Sequence, residues 1–248
     1  MRLLLKWLLL CLLALAAWPA TALAQGLPGI VSTPGPGGRQ TWSLSVQTLV
    51  LLTSLSFLPA LLLSMTSFTR ILIVLGLLRT AIGVQSSPPN PVIISLALFL
   101  TAIVMGPTFE RSYDAGIKPL LDKQIELPEA FDAASGPVKQ FMLGQVDRDD
   151  LALFVRLSKI PQPKTAAETP IQVVTPAFMI SELKRAFEIG FLLFIPFLVI
   201  DLVVASVLMS MGMMMLPPAT ISLPFKLIFF VLVDGWRLVA GSLVESFQ

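Results

Sequence analysis

An aspartate in the middle of an apolar run is the first residue in this sequence that could do chemistry. Asp201 is preceded by FLLFIPFLVI and followed by LVVASVLM, and a lone carboxylate at the centre of such a segment costs at least about 2.5 kcal/mol on membrane-insertion scales. It needs a partner. If this segment and the next fold back about Pro217 and Pro218, counting outward from the turn places Asp201 level with Asp234, with Arg237 one turn farther along the same face. Spacing therefore predicts an intramembrane charge cluster of Asp201, Asp234 and Arg237. Such a cluster could be a proton-sensitive element or a buried network that fixes helix register. The second is favoured, because buried ion pairs more often specify packing than do work.

Other chemistries are limited by composition. There is no histidine, and the single cysteine, Cys11, lies inside an N-terminal apolar run. Zinc, copper and thiol-nucleophile sites lose their usual ligands, and no disulfide can form within the chain. Composition leaves open a paired-carboxylate or Ser-Lys site. Asp201 and Asp234 could be read as an aspartyl pair, but no other catalytic context accompanies them and the chain reads as a non-enzyme. No P-loop, GxGxxG or paired metal-ligand spacing occurs, so neither a metal nor a cofactor is expected. A net charge of +2, with 17 basic residues interspersed among 15 acidic ones, is too weak for a nucleic-acid stripe.

The elements that must position Asp201 are membrane helices. Of 248 residues 55% are hydrophobic and 13% charged, far more apolar side chain than one soluble core of this size needs. Arg2 and Lys6 precede a leucine-rich run, and Ala22, Leu23, Ala24 and Gln25 follow it as a small-residue site. Residues 1–24 therefore read as a cleavable signal peptide, cut between Ala24 and Gln25. Residues 25–43 read as a flexible lead-in, rich in Gly and Pro from Gly26 to Gly38. Four further apolar segments, near 44–63, 92–109, 189–216 and 221–244, are long enough or nearly so to cross about 30 Å of hydrocarbon. They divide into a first hairpin at 44–109 and a second at 187–248. Residues 64–91 read as a cytoplasmic loop whose Arg70 and Arg79 face no acidic residue. The hydrophilic region 110–186 and the C-terminus then lie outside. Within that region Leu151, Phe154 and Val155 share one face of an amphipathic helix, with Arg148, Asp149, Arg156 and Lys159 largely off it. A further helix is predicted to open at Thr175 and Pro176 and to run without a breaker into the third apolar segment. The fold class is an all-α membrane protein.

Three stretches carry a resemblance. They are SMTSFTRILIVLGLLRTAIGVQSSPPNPVIISLALFLTAIVM from Ser64 to Met105, TPAFMISELKRAFEIGFLLFIPFLVIDLVVASVLMSMGMMMLPPATISLPFKLIFFVLVDGW from Thr175 to Trp236, and GSLVESF from Gly241 to Phe247. Together they cover close to half of the chain, and they are similar almost residue for residue to the FliP family. The resemblance implies a core subunit of the flagellar type III export gate, in the bacterial inner membrane within the flagellar basal body. It implies assembly of several copies with FliQ and FliR into a helical stack lifted largely out of the bilayer plane, alongside FlhA and FlhB. Exported unfolded flagellar proteins would be the cargo and membrane lipid the surroundings. The injectisome counterpart of the same gate and, from a different class, a small-solute transporter are the alternatives; no inverted repeat supports the latter.

The resemblance also bears on Met211, Met213, Met214 and Met215, which surround Gly212 just before Pro217 and Pro218. Residue type alone favours apolar filler at a span end. MGMMMLPP, however, matches the family's methionine gasket without departure, and unbranched, polarizable thioethers can close a pore yet yield to many substrates. In such a gate the Asp201 cluster could couple opening to the proton-motive force. Glu188 and Lys226, near segment ends, could snorkel or pair between subunits. Arg70 and Arg79 are read as topology determinants that could also contact a companion subunit.

Overall fold

Backbone N–H and C=O groups inside hydrocarbon must be satisfied within the protein, which leaves helix as the economical solution for segments this apolar. The computed structural model describes residues 33–34, 40–41, 44–84, 86–213 and 216–247. The expected signal cleavage site at Ala24 and Gln25, and the side chains of Met214 and Met215, lie outside the described residues. The chain divides into two units, residues 1–59 and 60–248, each described by itself.

In the first unit β1 (Thr33–Pro34) pairs antiparallel with β2 (Gln40–Thr41), Thr33 opposite Thr41. These four residues are the described part of the lead-in. Helix α1 (Leu44–Ser64) begins in this unit and ends in the second.

The second unit is built around a helix that sequence reading takes for a loop. Helix α2 (Phe68–Ile82) is apolar on almost every side and buries Ile71, Val74, Leu75, Leu78, Ala81 and Ile82. It ends at Gly83, whose N–H donates to the Thr80 carbonyl. At 15 residues it is too short to span a bilayer, so it lies within the protein instead. Around it pack α3 (Asn90–Ser112), through Ile93, Ala97 and Leu100, and the long helix α7 (Ile171–Ser210), through Ala186 and Phe197. Phe230 of α8 (Pro218–Leu232) and Val239 and Leu243 of α9 (Gly235–Glu245) complete this core.

Helix α3 continues through a π-helical turn, Tyr113–Ile117, into α4 (Lys118–Leu121). The π turn is where a following helix comes closest. At Gly116 an added Cβ would press on the backbone of Ala130 and Ala134, so the missing side chain lets α5 (Leu127–Gln145) approach in full contact. Helix α6 (Arg148–Leu157) follows, its N–H at Asp149 capped by the Asp147 carboxylate. Leu151, Phe154 and Val155 are half-buried while Arg148, Asp149, Arg156 and Lys159 are exposed, which is the expected amphipathic division, and α6 packs on α7. A second core cluster, Met142, Val174 and Phe178, joins α5 to α7, with Leu151 of α6 against it.

After a short 3-10 turn at Ala166–Glu168, α7 starts at Ile171 with extended Pro170 as its N-cap. The expected start at Thr175 and Pro176 is thus too late. The Thr175 hydroxyl donates back to the Ile171 carbonyl, and Pro176 sits only one turn in, where few intrahelical bonds are lost. The run into the third apolar segment is as expected: α7 has 40 residues, about 60 Å at 1.5 Å per residue.

Among the described residues two helical stretches are long and apolar enough to cross a membrane, Asn90–Leu121 and Ile171–Ser210. The pair α8 and α9 qualifies only as one span bent by 63°.

Substituting Gly116→Ala is expected to lower stability by about 2 kcal/mol, since a backbone clash cannot be relieved by a rotamer change. Gly136→Ala on α5, where an added Cβ meets nothing within 4 Å, should be neutral or slightly stabilising. Thermal unfolding of the two detergent-solubilised variants checks the contrast; equal loss in both would contradict the close approach.

Candidate functional site: the methionine turn and its buried charge pairs

The methionine turn owes its shape to the end of α7. Met211 is the C-cap, and Gly212 adopts φ +73°, a left-handed conformation that costs an L-residue about 1 kcal/mol. The Gly212 N–H donates to the Met209 carbonyl and the Met213 N–H to the Leu208 carbonyl. These two bonds form a Schellman motif, which satisfies carbonyls the helix end would leave bare. The turn therefore stops α7 abruptly and displays its methionines: Met211 is 66% and Met213 43% exposed. Behind it, Val199, Val203, Val207, Ile221 and Phe225 line a wholly apolar cavity of about 440 Å³ between α7 and α8.

Below the turn, the structure joins Asp201 to a different partner from the one expected. The Lys226 ammonium donates to Asp201 Oδ2 at 2.6 Å and to the Ala81 carbonyl at 3.4 Å, and the Ser222 hydroxyl donates to Asp201 Oδ1 at 2.5 Å. Lys226 is buried, which overturns its reading as a snorkelling or intersubunit residue. Among the described residues no ion pair joins Asp201 to Arg237. Asp234 instead approaches Arg237 at 3.9 Å, with the two side chains 67% and 87% exposed, a pairing worth little in solvent.

The reason is the size of the turn. Helix α7 ends at Ser210 and α8 starts only at Pro218, so the count across the hairpin runs from the helix ends rather than from the two prolines. Asp201 lies nine residues inside the end of α7 at Ser210, and Lys226 eight residues inside the start of α8 at Pro218, which makes them level. Asp234 is farther on, at φ +51° in the break before α9.

A second charge pair, buried on both sides, sits at the other end of the core. Arg70, read from sequence as a loop cation, is 1% exposed and meets Glu182 of α7, which is 0% exposed, through both carboxylate oxygens. Its remaining donors reach Gln145 Oε1 at 3.1 Å and the Ser246 carbonyl and hydroxyl, each at 3.1 Å. The guanidinium also lies 3.7 Å from the centre of the Phe247 ring. Gln145 in turn accepts from Arg185 at 2.8 Å and donates to the Phe247 carbonyl at 3.2 Å. One planar cation thus binds α2, α5, α7 and the segment after α9.

The remaining expected residues are ordinary. Arg79 donates to Asn90 Oδ1 at 2.6 Å and to the Pro88 carbonyl at 3.3 Å, fastening the end of α2 to the start of α3. Glu188 is exposed. Asp147, beyond the span, donates no proton and accepts from Lys184 at 3.1 Å; that ammonium, then the Asp149 N–H, hold its carboxyl below the usual range. Sequence reasoning missed Glu182, Ser222, Gln145, Ser246 and Phe247. Only Ser222 carried a signal, standing four residues before Lys226 and so on its helical face.

Comparison with known proteins decides what this arrangement belongs to. The FliP family model matches residues 51–243, a range that holds both charge pairs and the methionine turn. The chain belongs to the FliP family. It is similar to the flagellar biosynthetic protein FliP of Caulobacter vibrioides, 78% identical over 239 residues, covering 96% of this chain and 89% of that one. The FliP of Pectobacterium carotovorum is 61% identical over 89% of this chain and 86% of its own length. That of Bacillus subtilis is 54% identical over 83% and 93% respectively. FliP-family membership agrees with the resemblance carried by the three sequence stretches.

Two mutational outcomes follow. Asp201→Leu alone strands a buried ammonium, costing about 2–4 kcal/mol, and Lys226→Met alone strands a carboxylate that is 35% exposed, costing about 1–2 kcal/mol, whereas the double variant should recover most of either loss. A double-mutant cycle on detergent unfolding midpoints measures it, and additive losses would deny the contact. Glu182→Ala should be harsher, about 3–5 kcal/mol, because Arg70 keeps a fully desolvated charge; a folded yield like that of the parent chain would contradict the node.

Proposed function

We propose that this FliP-family chain is a core subunit of the flagellar type III protein export gate, seated in the bacterial inner membrane within the basal body. Copies of the chain assemble with FliQ and FliR, next to FlhA and FlhB, into a channel for unfolded flagellar proteins. The large region between α3 and α7 and the C-terminus face the periplasm, after removal of a signal peptide at Ala24.

The observation that carries this reading is the methionine turn. Met211 and Met213 are exposed on a turn whose backbone is fixed by Gly212, while the charges beneath it are neutralised within the chain. A rigid backbone presenting soft side chains suits a gasket: the thioethers of Met211, Met213, Met214 and Met215 from neighbouring copies deform around cargo, and the turn does not. The relatives' printed name, flagellar biosynthetic protein, supports the flagellar setting. The Asp201–Lys226–Ser222 network supports a register-fixing role over a proton-sensitive one, since both carboxylate oxygens already have donors.

The test is permeability. When the export gate is expressed, replacing Met211 and Met213 to Met215 by alanine should leak small ions across the inner membrane, while Gly212→Ala, which shifts the turn itself, should reduce secretion of flagellar proteins. An unchanged barrier in the alanine variant would remove the gasket assignment.

A further inference from the structure

Two surfaces of the region between α3 and α7 complement one another and cannot meet within one chain. The first is a cleft of about 690 Å³ between α6 and the segment from Ile160 to Thr169. Its floor is apolar, with Leu151, Ala152, Val155 and Pro163, and its rim carries Arg148, Arg156 and Lys164 with no carboxylate among the lining residues. Thr169, which also lines it, is wholly buried and its hydroxyl has no hydrogen-bond partner among the described residues. A buried hydroxyl without a partner is unfavourable by about 1–3 kcal/mol, which marks the cleft as a place where an acceptor is missing.

The second surface is the start of α5. Leu127 and Phe131 are each 70% exposed, and at i, i+4 they share one stripe of the helix. Two large apolar side chains this bare on one stripe, outside the long apolar helices, offer a contact surface. Exposed Glu126, Glu129 and Asp132 accompany them, against one nearby cation, Lys123. The knob is acidic and apolar where the cleft is basic and apolar.

We propose that the cleft of one copy receives Leu127 and Phe131 of a second copy, with Glu129 and its neighbours facing Arg148, Arg156 and Lys164. This rests on the assembly of copies in the reading above and names one contact within it. The same chain cannot fill its own cleft: Lys139 of α5 donates to the Ala167 carbonyl at 2.6 Å, so the middle of the helix lies beside the cleft. Phe131 is then held about 12 Å away along a rigid rod. Lipid is also a poor occupant. The cleft sits at the start of α7, and the uninterrupted apolar run begins only at Ile189, past Glu182, Lys184, Arg185 and Glu188. That places the Thr169 end of the cleft about 27 Å from the hydrocarbon along the helix, and the Arg148 end beside the Asp147–Lys184 pair, still among the charged residues that precede Ile189. Because knob and cleft are different surfaces, the contact is head-to-tail and builds a ring or a helical stack rather than an isolated dimer.

The test is a directed disulfide in the full chain with Cys11→Ser. Two differently tagged versions, one with Ala152→Cys and one with Leu127→Cys, are co-expressed and their membranes oxidised. A doubly tagged disulfide dimer is expected, and it should disappear when Gly136→Cys, farther along α5, replaces Leu127→Cys. Adding Arg156→Glu to the first version or Glu129→Arg to the second should each lower the dimer yield about fivefold, the scale of one partly exposed charge pair, and combining them should restore it. The restoration guards against a variant that merely misfolds. Copies that co-purify without this crosslink, or an Ala152→Cys chain that links to a different protein, overturn the proposed contact and leave the gate reading standing. Copies that never co-purify sink both.

Discussion

The arrangement rests on a desolvated guanidinium. Arg70 lies at the start of a helix with almost no other polar group, and burying its charge costs several kcal/mol unless every N–H finds an acceptor. The acceptors come from far along the chain: Glu182 on α7, Gln145 on α5 and Ser246 after α9. Only one relative placement of these elements satisfies the planar fork. The pair thus contributes less as net energy than as a constraint, since any sliding of α7 along α2 leaves two opposite charges without partners.

That constraint matters because the rest of the packing is poorly specified. The faces of α2, α3 and α7 are lined by Ile, Leu, Val and Phe, which interdigitate in several registers at similar energy, and in a membrane no solvent drives one choice. Arg70–Glu182 fixes α7 at one end and Asp201–Lys226 fixes it against α8 near the other. With both set, the end of α7 is set too, and Gly212 converts that end into a turn of defined height. The methionines are soft, but their position is not.

The sequence made much of this legible. The apolar segments, the long α7, the amphipathic division of α6 and the methionine turn all follow from local pattern, and pattern survives folding because burial enforces it. What it did not reveal was which charge meets which. Arg70 and Arg79 look like loop cations when α2 is too short to count as a span, and nothing near Arg70 in the chain announces Glu182, 112 residues on. The Asp201 pairing failed for a different reason. A count that pivots on the two prolines ignores that α7 ends at Ser210 and α8 starts only at Pro218, which shifts the partner from Asp234 to Lys226.

The distribution of what is satisfied and what is left open separates internal from external roles. Arg70–Glu182 is fully buried and the Asp201 carboxylate, though partly exposed, has donors on both oxygens, so both pairs close inside one chain and serve register. The side chains left open are of two kinds. Along α7, Phe191, Leu198, Leu202 and Val203 are more than half exposed and carry no polar complement, which suits lipid or a flat helix face. Around α5 and α6 the open surface is mixed, apolar centres with charged margins, and such margins reject wrong partners through unpaired charge more than they add affinity. A chain built this way would insert and pack through its apolar helices without discrimination, and would choose its neighbours through the region outside them.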